Sequence, residues 1–245
     1  MTAVVTGGTR GIGLGLATAL IERGASVALT YLANETAAQE AQALLSGRLK
    51  PGRRVLLLRG DAGDPAVVSE QCRRVREELG PIAVLVNNAG RMNRKTFEEI
   101  TDEEWRETIR VNLDSAFYWS SRVVLGMKAA RYGRIINISS LAARGGGVVG
   151  PHYAASKAGL VGLTRYAARE LGPFGITVNA IAPAFIEEAG LFSQWPEEKL
   201  AELKDKVCTT RIGRVSDVVR AFEYLLDSPF VTGVTLDVCG GAFMI

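Results

Sequence analysis

Short runs of aliphatic and β-branched residues recur along the chain at Ala3–Thr6, Val27–Tyr31, Val55–Leu58, Val84–Val86, Ile135–Ile138, Thr177–Ile181 and Val234–Val238. Each is of strand rather than helix length. Between them, longer segments place apolar residues at helical spacing: 12–23, 35–46, 65–79, 102–130, 153–171, 197–206 and 215–227. The short runs are apolar at successive positions, so both faces of each strand are expected to be buried. Strands of that kind alternating with helices predict a parallel sheet covered on each side. The pattern shows no repeat, low-complexity tract or long linker, which predicts one doubly wound α/β domain spanning 1–245 with about seven strands.

The ends of the predicted strands share a chemical character: Thr6-Gly7, Gly60-Asp61, Asn87-Asn88, Ser139-Ser140 and Ala182-Pro183. In such a sheet, ligands bind beyond the carboxyl ends of the strands. These residues are therefore expected to line one crevice. The irregular stretch after Pro183, with Gly190, Trp195 and Pro196, reads as an inserted lid over roughly 184–208.

Composition narrows the class. With 245 residues, 47% of them hydrophobic, the chain can bury a sizeable core, which excludes a disordered or disulfide-stapled protein. Cys72, Cys208 and Cys239 are scattered and odd in number, as expected of reduced thiols in a cytoplasmic protein. There is no run of eighteen apolar residues and no basic leader before a long apolar core, so neither a membrane span nor secretion is expected. The net charge of +3 is dispersed, with Arg53-Arg54 and Arg73-Arg74 far apart among acids, so no nucleic-acid surface is expected.

Candidate chemistry begins at "GGTRGIG", residues 7–13, between the first strand and the first helix. Such a turn gathers backbone N–H groups at the positive end of a helix, which suits a pyrophosphate. Gly7, Gly11 and Gly13 have G-x-x-x-G-x-G spacing, not G-x-G-x-x-G, so alone the stretch fits either a phosphate loop or a plain turn. "YAASK" puts Tyr153 and Lys157 on one helix face. An adjacent ammonium favours the phenolate, which suits Tyr153 to proton exchange; a half-buried Tyr beside a surface Lys is the bland alternative. Ser140 ends "RIINISS", and Asn112 and "NNAG" complete the set. His152 is the single histidine, which argues against zinc, and the nucleophile elbow of a Ser hydrolase is absent. His152 reads as a loop residue at the cleft edge or a subunit contact. No metal site is expected.

Taken together and in order, "TGGTRGIG", "GDAGD", "NNAG", the "VN" holding Asn112, "INISS", "YAASK", "VNAIAP" and "TGVTLDVCGG" closely resemble the short-chain dehydrogenase/reductase family. The chain is similar to its compact 3-oxoacyl-carrier-protein reductase-like members. The resemblance implies a Rossmann-like fold and hydride transfer between a nicotinamide cofactor and a carbonyl or secondary alcohol. It implies that Tyr153 is the acid/base, that Lys157 lowers its pKa and holds the nicotinamide ribose, that Ser140 bonds the substrate oxygen, and that Asn112 anchors a water in a proton relay. Ser139, by contrast, is expected to turn toward the protein. The implied cofactor-binding residues are Gly7, Thr9, Arg10, Gly11, Ile12, Gly13, Tyr31, Asp61, Ala62, Asn88, Ala89, Gly90, Tyr153, Lys157, Pro183 and Ile186, with the Asp61 side chain toward the adenine amine.

Members selective for NAD commonly carry an Asp at the end of the second strand. Here Leu29-Thr30-Tyr31-Leu32 has no acid, and Arg10 could pair with a 2′-phosphate, which favours NADP(H), with NAD(H) as the alternative. Ala184 and Glu188 depart from the family's usual Gly and Thr. Arg131 matches a basic position expected near the cleft mouth, whereas Phe174 replaces a second one. Phe185, Ile186, Leu191, Phe192 and Trp195 form an apolar cover that either meets a substrate or packs the lid. The resemblance further implies a homotetramer or homodimer acting on a small-molecule carbonyl or alcohol, a 3-oxoacyl thioester or another ketone. A non-catalytic NAD(P)-binding regulator on the same fold is the competing class, since fold alone does not fix function. The intact Asn112, Ser140, Tyr153 and Lys157 set argues against it.

Overall fold

The computed structural model describes residues 1–187, 189 and 196–244. Its seven strands are β1 Thr2–Val5, β2 Ser26–Tyr31, β3 Val55–Arg59, β4 Ile82–Asn87, β5 Gly133–Ile138, β6 Ile176–Pro183 and β7 Thr235–Val238. They form one parallel sheet in the order β3-β2-β1-β4-β5-β6-β7. The order reverses between β1 and β4, which opens a crevice over their carboxyl ends.

The helices are α1 Gly11–Glu22, α2 Glu35–Ser46, α3 Pro65–Leu79, α4 Asp102–Ile109, α5 Ser115–Ala130, α6 Ala142–Gly145, α7 Pro151–Leu171, α8 Glu197–Lys204 and α9 Val215–Asp227. Adjacent positions of each strand feed two separate cores. Val5, Val86, Ile136 and Ile181 pack with Leu16 and Leu20 of α1, Leu45 of α2 and Phe222 of α9. Val4, Leu85, Ile135 and Val178 face the other way, onto Cys72 of α3, Trp119 and Met127 of α5 and Leu171 of α7. This arrangement is the Rossmann-like doubly wound fold, and it explains why apolar residues occupy successive positions of the strands. No helix among the described residues is long and apolar enough to cross a membrane.

The predicted helix 102–130 is in fact interrupted. α4 opens on a capping box formed by Thr101 and Glu104, and α5 follows only after a π-helical turn, Arg110–Asp114. The inserted turn carries no Gly or Pro, so the sequence pattern runs straight across it. π-turns of this kind frequently mark functional positions. α7 begins two residues before its predicted start, at Pro151, whose fixed φ and missing N–H suit a first turn.

Candidate active site

The glycine loop is held from two sides. Thr30 at the end of β2 accepts from Gly7 N through its hydroxyl at 3.1 Å and from Gly8 N through its carbonyl at 3.2 Å. From β4, Asn88 donates its side-chain amide to the carbonyls of Thr6 and Gly7, each at 2.9 Å, while Thr6 Oγ1 accepts from the N–H groups of Asn88 and Ala89. Gly7 and Gly11 have φ near +60° and +52°, where a side chain would be strained. α1 then starts without a side-chain cap and without an acid in its first turn. The first-turn amides of Gly11, Ile12 and Gly13 thus form an uncapped positive helix end. Thr9 is buried beneath the loop, and Arg10 is exposed, with no ion pair among the described residues.

At the far side of β2, the Tyr31 hydroxyl donates to Glu35 at 2.8 Å and the Tyr31 carbonyl accepts from Gly60 N at 2.9 Å. Burial, then the Glu35 carboxylate, raises the Tyr31 pKa above the usual phenol value. Glu35 places an acid beside this strand end, although the strand itself contains none. Asp61 follows β3, with Ala62 partly buried beside it. Its carboxylate accepts from Gly63 N and from Arg110 Nη2, both at 2.8 Å. Burial works to raise its pKa, but Arg110 and the Gly63 N–H outweigh it and hold the carboxyl below its ordinary range.

The four residues of the implied catalytic set converge over β4 and β5. Asn112 is 1% exposed and sits in the π-helical turn. Its Oδ1 accepts from Arg91 N at 2.7 Å, and its Nδ2 donates to Arg91 O at 3.1 Å and to Ser156 Oγ at 3.0 Å. Ser156 Oγ in turn donates to the Tyr153 carbonyl at 2.8 Å. Lys157 is buried, and its Nζ donates to Ile138 O at 2.8 Å. A Cβ built on Gly90 would lie 3.3 Å from Asn112 Oδ1 and 3.5 Å from Lys157 Nζ, so the Gly90 backbone borders both side chains closely. Ser139 turns inward, donating to Lys157 O at 2.9 Å, whereas Ser140 stays at the crevice and accepts from Ala142 N at 3.2 Å.

Electrostatics here differ from the expectation for Tyr153. Burial pushes its phenol pKa up, and the Ser140 hydroxyl beside it works in the opposite direction. The Lys157 ammonium lies 5.7 Å from the Tyr153 ring centroid with its hydrogen bond aimed at Ile138, so burial, and not this cation, sets the direction of the Tyr153 shift. Lys157 is itself pushed down to about 8 by burial.

Two other expectations change. His152 is not a loop residue at the cleft edge: it lies in the first turn of α7, 1% exposed, because the helix starts at Pro151. Burial, opposed by the Asn93 main chain and Glu104, lowers its pKa, and its depth excludes the alternative of an exposed subunit contact. Arg131 precedes β5 and bonds the Pro173 carbonyl at 3.0 Å, so it lies with Phe174 at the amino edge of the sheet, away from this chain's crevice. At the end of β6, Pro183 O accepts from Leu141 N, Ala184 N donates to Val238 O, and Ile186 is buried and bridged to Gly213. Glu188, Leu191, Phe192 and Trp195 lie outside the described residues.

Sequence reading alone missed Ser156, Arg91, Arg110 and Glu35 as parts of the site. Only the Tyr31–Glu35 pair, four residues apart, carried a local signal. Among the described residues, no group of three His, Cys, Asp or Glu side chains converges as a metal site. A dinucleotide does fit the residues present: an uncapped helix end for its pyrophosphate, the exposed Arg10 at the start of that helix, and a crevice at the reversal of strand order leading to Gly90 and Lys157.

Comparisons with known proteins agree with this geometry. The family model for short chain dehydrogenases matches residues 1–199. The 3-oxoacyl-[acyl-carrier-protein] reductase of Escherichia coli is 36% identical over 245 residues, covering 99% of this chain and 97% of that protein. The acetoacetyl-CoA reductase of Shinella zoogloeoides is 34% identical, covering 99% and 98%. Among solved structures, a putative short-chain alcohol dehydrogenase from Sinorhizobium meliloti superposes with a TM-score of 0.89 at 33% identity, over 98% of this chain and 95% of that one. The chain belongs to the short-chain dehydrogenase/reductase family of enzymes.

Proposed function

We propose that this oxidoreductase is an NADP(H)-dependent carbonyl reductase, working in reverse on secondary alcohols, with Tyr153 as its acid/base. The observation that carries the reading is the convergence of Ser140, Tyr153, Lys157 and Asn112 on the crevice that begins at the uncapped α1 loop. The cofactor, when bound, supplies or accepts the hydride.

The protein's part is position and charge. In the reductive direction the carbonyl oxygen gains negative charge, and the Ser140 and Tyr153 hydroxyls donate hydrogen bonds there. Tyr153 then releases its proton to that oxygen. Burial raises the phenol's pKa and so favours the protonated form that donates. Lys157, a buried cation with one carbonyl partner among the described residues, would stabilise the tyrosinate that remains and has donors left for the cofactor's ribose. Asn112 fixes the Arg91 main chain and, through Ser156, the main chain of Tyr153. We assign it the anchoring of the relay that reprotonates Tyr153.

The glycine loop residues Gly7, Thr9, Gly11, Ile12 and Gly13 would hold the pyrophosphate. Tyr31, Asp61, Ala62, Asn88, Ala89 and Gly90 would border the adenosine half, and Pro183 and Ile186 the nicotinamide end. Arg10, with no ion-pair partner among the described residues, would meet the 2′-phosphate, while Glu35 is engaged by Tyr31. The substrate class is a 3-oxoacyl thioester or a related ketone, supported by the names of the relatives. Exposed Phe117, Leu125 and Tyr166 on α5 and α7 support assembly into a dimer or tetramer of a cytoplasmic enzyme.

The test is the loss of nicotinamide absorbance with NADPH and NADH against a panel of ketones and 3-oxoacyl thioesters. Turnover with NADPH preferred over NADH is expected. Cofactor binding without turnover on any member of the panel would instead support the regulator.

A further inference from the structure

Arg110 occupies the first position of the π-helical turn, two residues before Asn112. Its guanidinium faces two carboxylates. Nη2 donates to Asp61 at 2.8 Å, and Nε and Nη2 donate to Glu107 at 2.6 and 2.9 Å. A side chain on Gly63 would overlap the guanidinium, so Arg110 lies directly on the loop that follows β3. Asp61 is thereby held through both oxygens, by Arg110 and by Gly63 N. Without the cation, the Asp61 and Glu107 carboxylates would repel one another across this loop.

The contacts continue inward. Glu107 faces Arg91 at 3.5 Å, and the Arg91 main chain holds the Asn112 amide through both its N–H and its C=O. Asn112 reaches Ser156, and Ser156 the Tyr153 carbonyl. An unbroken run of polar contacts therefore joins the end of β3 to the helix that carries Tyr153. Arg110 is the member that ties this run to the loop after β3, a charge between the opposite charges of Asp61 and Glu107, and the chemistry assigned to the site uses no cation at this position.

We propose that Arg110 is a positioning residue for the cofactor crevice: it fixes Asp61 at the adenine end and, through Glu107 and Arg91, steadies the partners of Asn112. The proposal rests on the reading that the crevice binds a nicotinamide dinucleotide.

Fluorescence titration of the intact protein with NADPH and with NADH tests it, on wild type, Arg110→Gln, Arg110→Lys, Asp61→Asn and the Asp61→Asn/Arg110→Gln double variant. Loss of a charge-assisted clamp should weaken both nucleotides about tenfold in Arg110→Gln, since both share the adenine end, and Arg110→Lys should recover part of that loss. In the double variant the two losses should not multiply, remaining within about twofold of the weaker-binding single variant. At saturating cofactor, Arg110→Gln should also lower kcat about threefold with the ketone KM held.

Unchanged dissociation constants in Arg110→Gln, or fully multiplied losses in the double variant, would overturn the clamp. An unchanged kcat would overturn the link to Asn112. If Arg110→Gln fails to fold, Arg110→Met in its place supplies the same cycle with Asp61→Asn. Failure of wild type to bind either nucleotide would overturn the cofactor reading itself, whereas binding by wild type with an unaltered Arg110→Gln removes only the role given to Arg110.

Discussion

Strand β5 has a buried cation at each end, and the fold treats the two in opposite ways. At the amino end, Arg134 donates to the carbonyls of Leu226 at 3.1 Å, Gly133 at 2.9 Å and Gly175 at 3.4 Å, and its guanidinium stacks over the Tyr132 ring. These bonds tie the last turn of α9 to the edge of the sheet. At the carboxyl end, Lys157 reaches the Ile138 carbonyl alone and sits over the Tyr153 ring. A guanidinium stays charged and can satisfy several carbonyls at fixed angles, whereas a buried ammonium shifts its pKa readily. One cation at this strand therefore holds the structure, while the proposed function gives the other, carried by α7, a part in the chemistry.

The sharpest way to break this contrast is to exchange the two effects. Lys157→Met should cut kcat about a hundredfold or more, as expected for loss of a group supporting acid/base transfer, measured by steady-state NADPH consumption. Its stability signature has a defined sign. The folded pKa is near 8 and the unfolded value 10.5, so between those pH values the unfolded chain holds a proton that the folded protein lacks. Stability of the wild type relative to Lys157→Met should consequently rise by about 3 kcal/mol from pH 8 to 10.5, read from urea unfolding. A flat difference would mean that Lys157 is not buried without a counter-charge.

Arg134→Met should do the reverse. It leaves the Leu226 and Gly175 carbonyls short of a donor and should cost about 2–4 kcal/mol of stability, with kcat per folded molecule unchanged. A loss of kcat with unaltered unfolding would erase the distinction between the two ends.

The smallest effect is expected at the crevice's outer rim. Arg10→Ala should weaken NADPH about tenfold and leave NADH within about twofold, measured by fluorescence titration, because an exposed cation contributes only to the phosphorylated cofactor. Equal losses for both would remove Arg10 from cofactor selection.

Much of this was legible from the sequence, for physical reasons that vary by residue. Continuous apolar runs announced strands buried on both faces, and the structure returns all seven in one parallel sheet. Helical spacing places Tyr153 and Lys157 on one face, but it was the family resemblance that marked them as the candidate acid/base pair. The break at Arg110–Asp114 was not legible, since a π-turn needs no punctuating residue and leaves the apolar pattern intact. Nor could spacing reveal the pair of Asp61 and Arg110, which belong to different elements and meet only after folding. His152 was misplaced because two residues decide whether a side chain lies before a helix or inside its first turn, and Pro151 shifts that boundary. The low phenol pKa expected of Tyr153 meets an opposing effect that spacing cannot show: burial raises it, while the Lys157 hydrogen bond is aimed at Ile138.

The central claim is that the carboxyl end of β5 exists for proton transfer by Tyr153. Turnover of NADPH with a productive ketone, compared between wild type and Tyr153→Phe at saturating concentrations, tests it most directly. The phenylalanine keeps the ring and removes one hydroxyl, so the melting temperature should stay close to that of wild type while kcat falls about a thousandfold. A folded Tyr153→Phe protein retaining turnover within about tenfold of wild type would contradict the assignment, because general acid–base catalysis by the removed hydroxyl would then contribute too little.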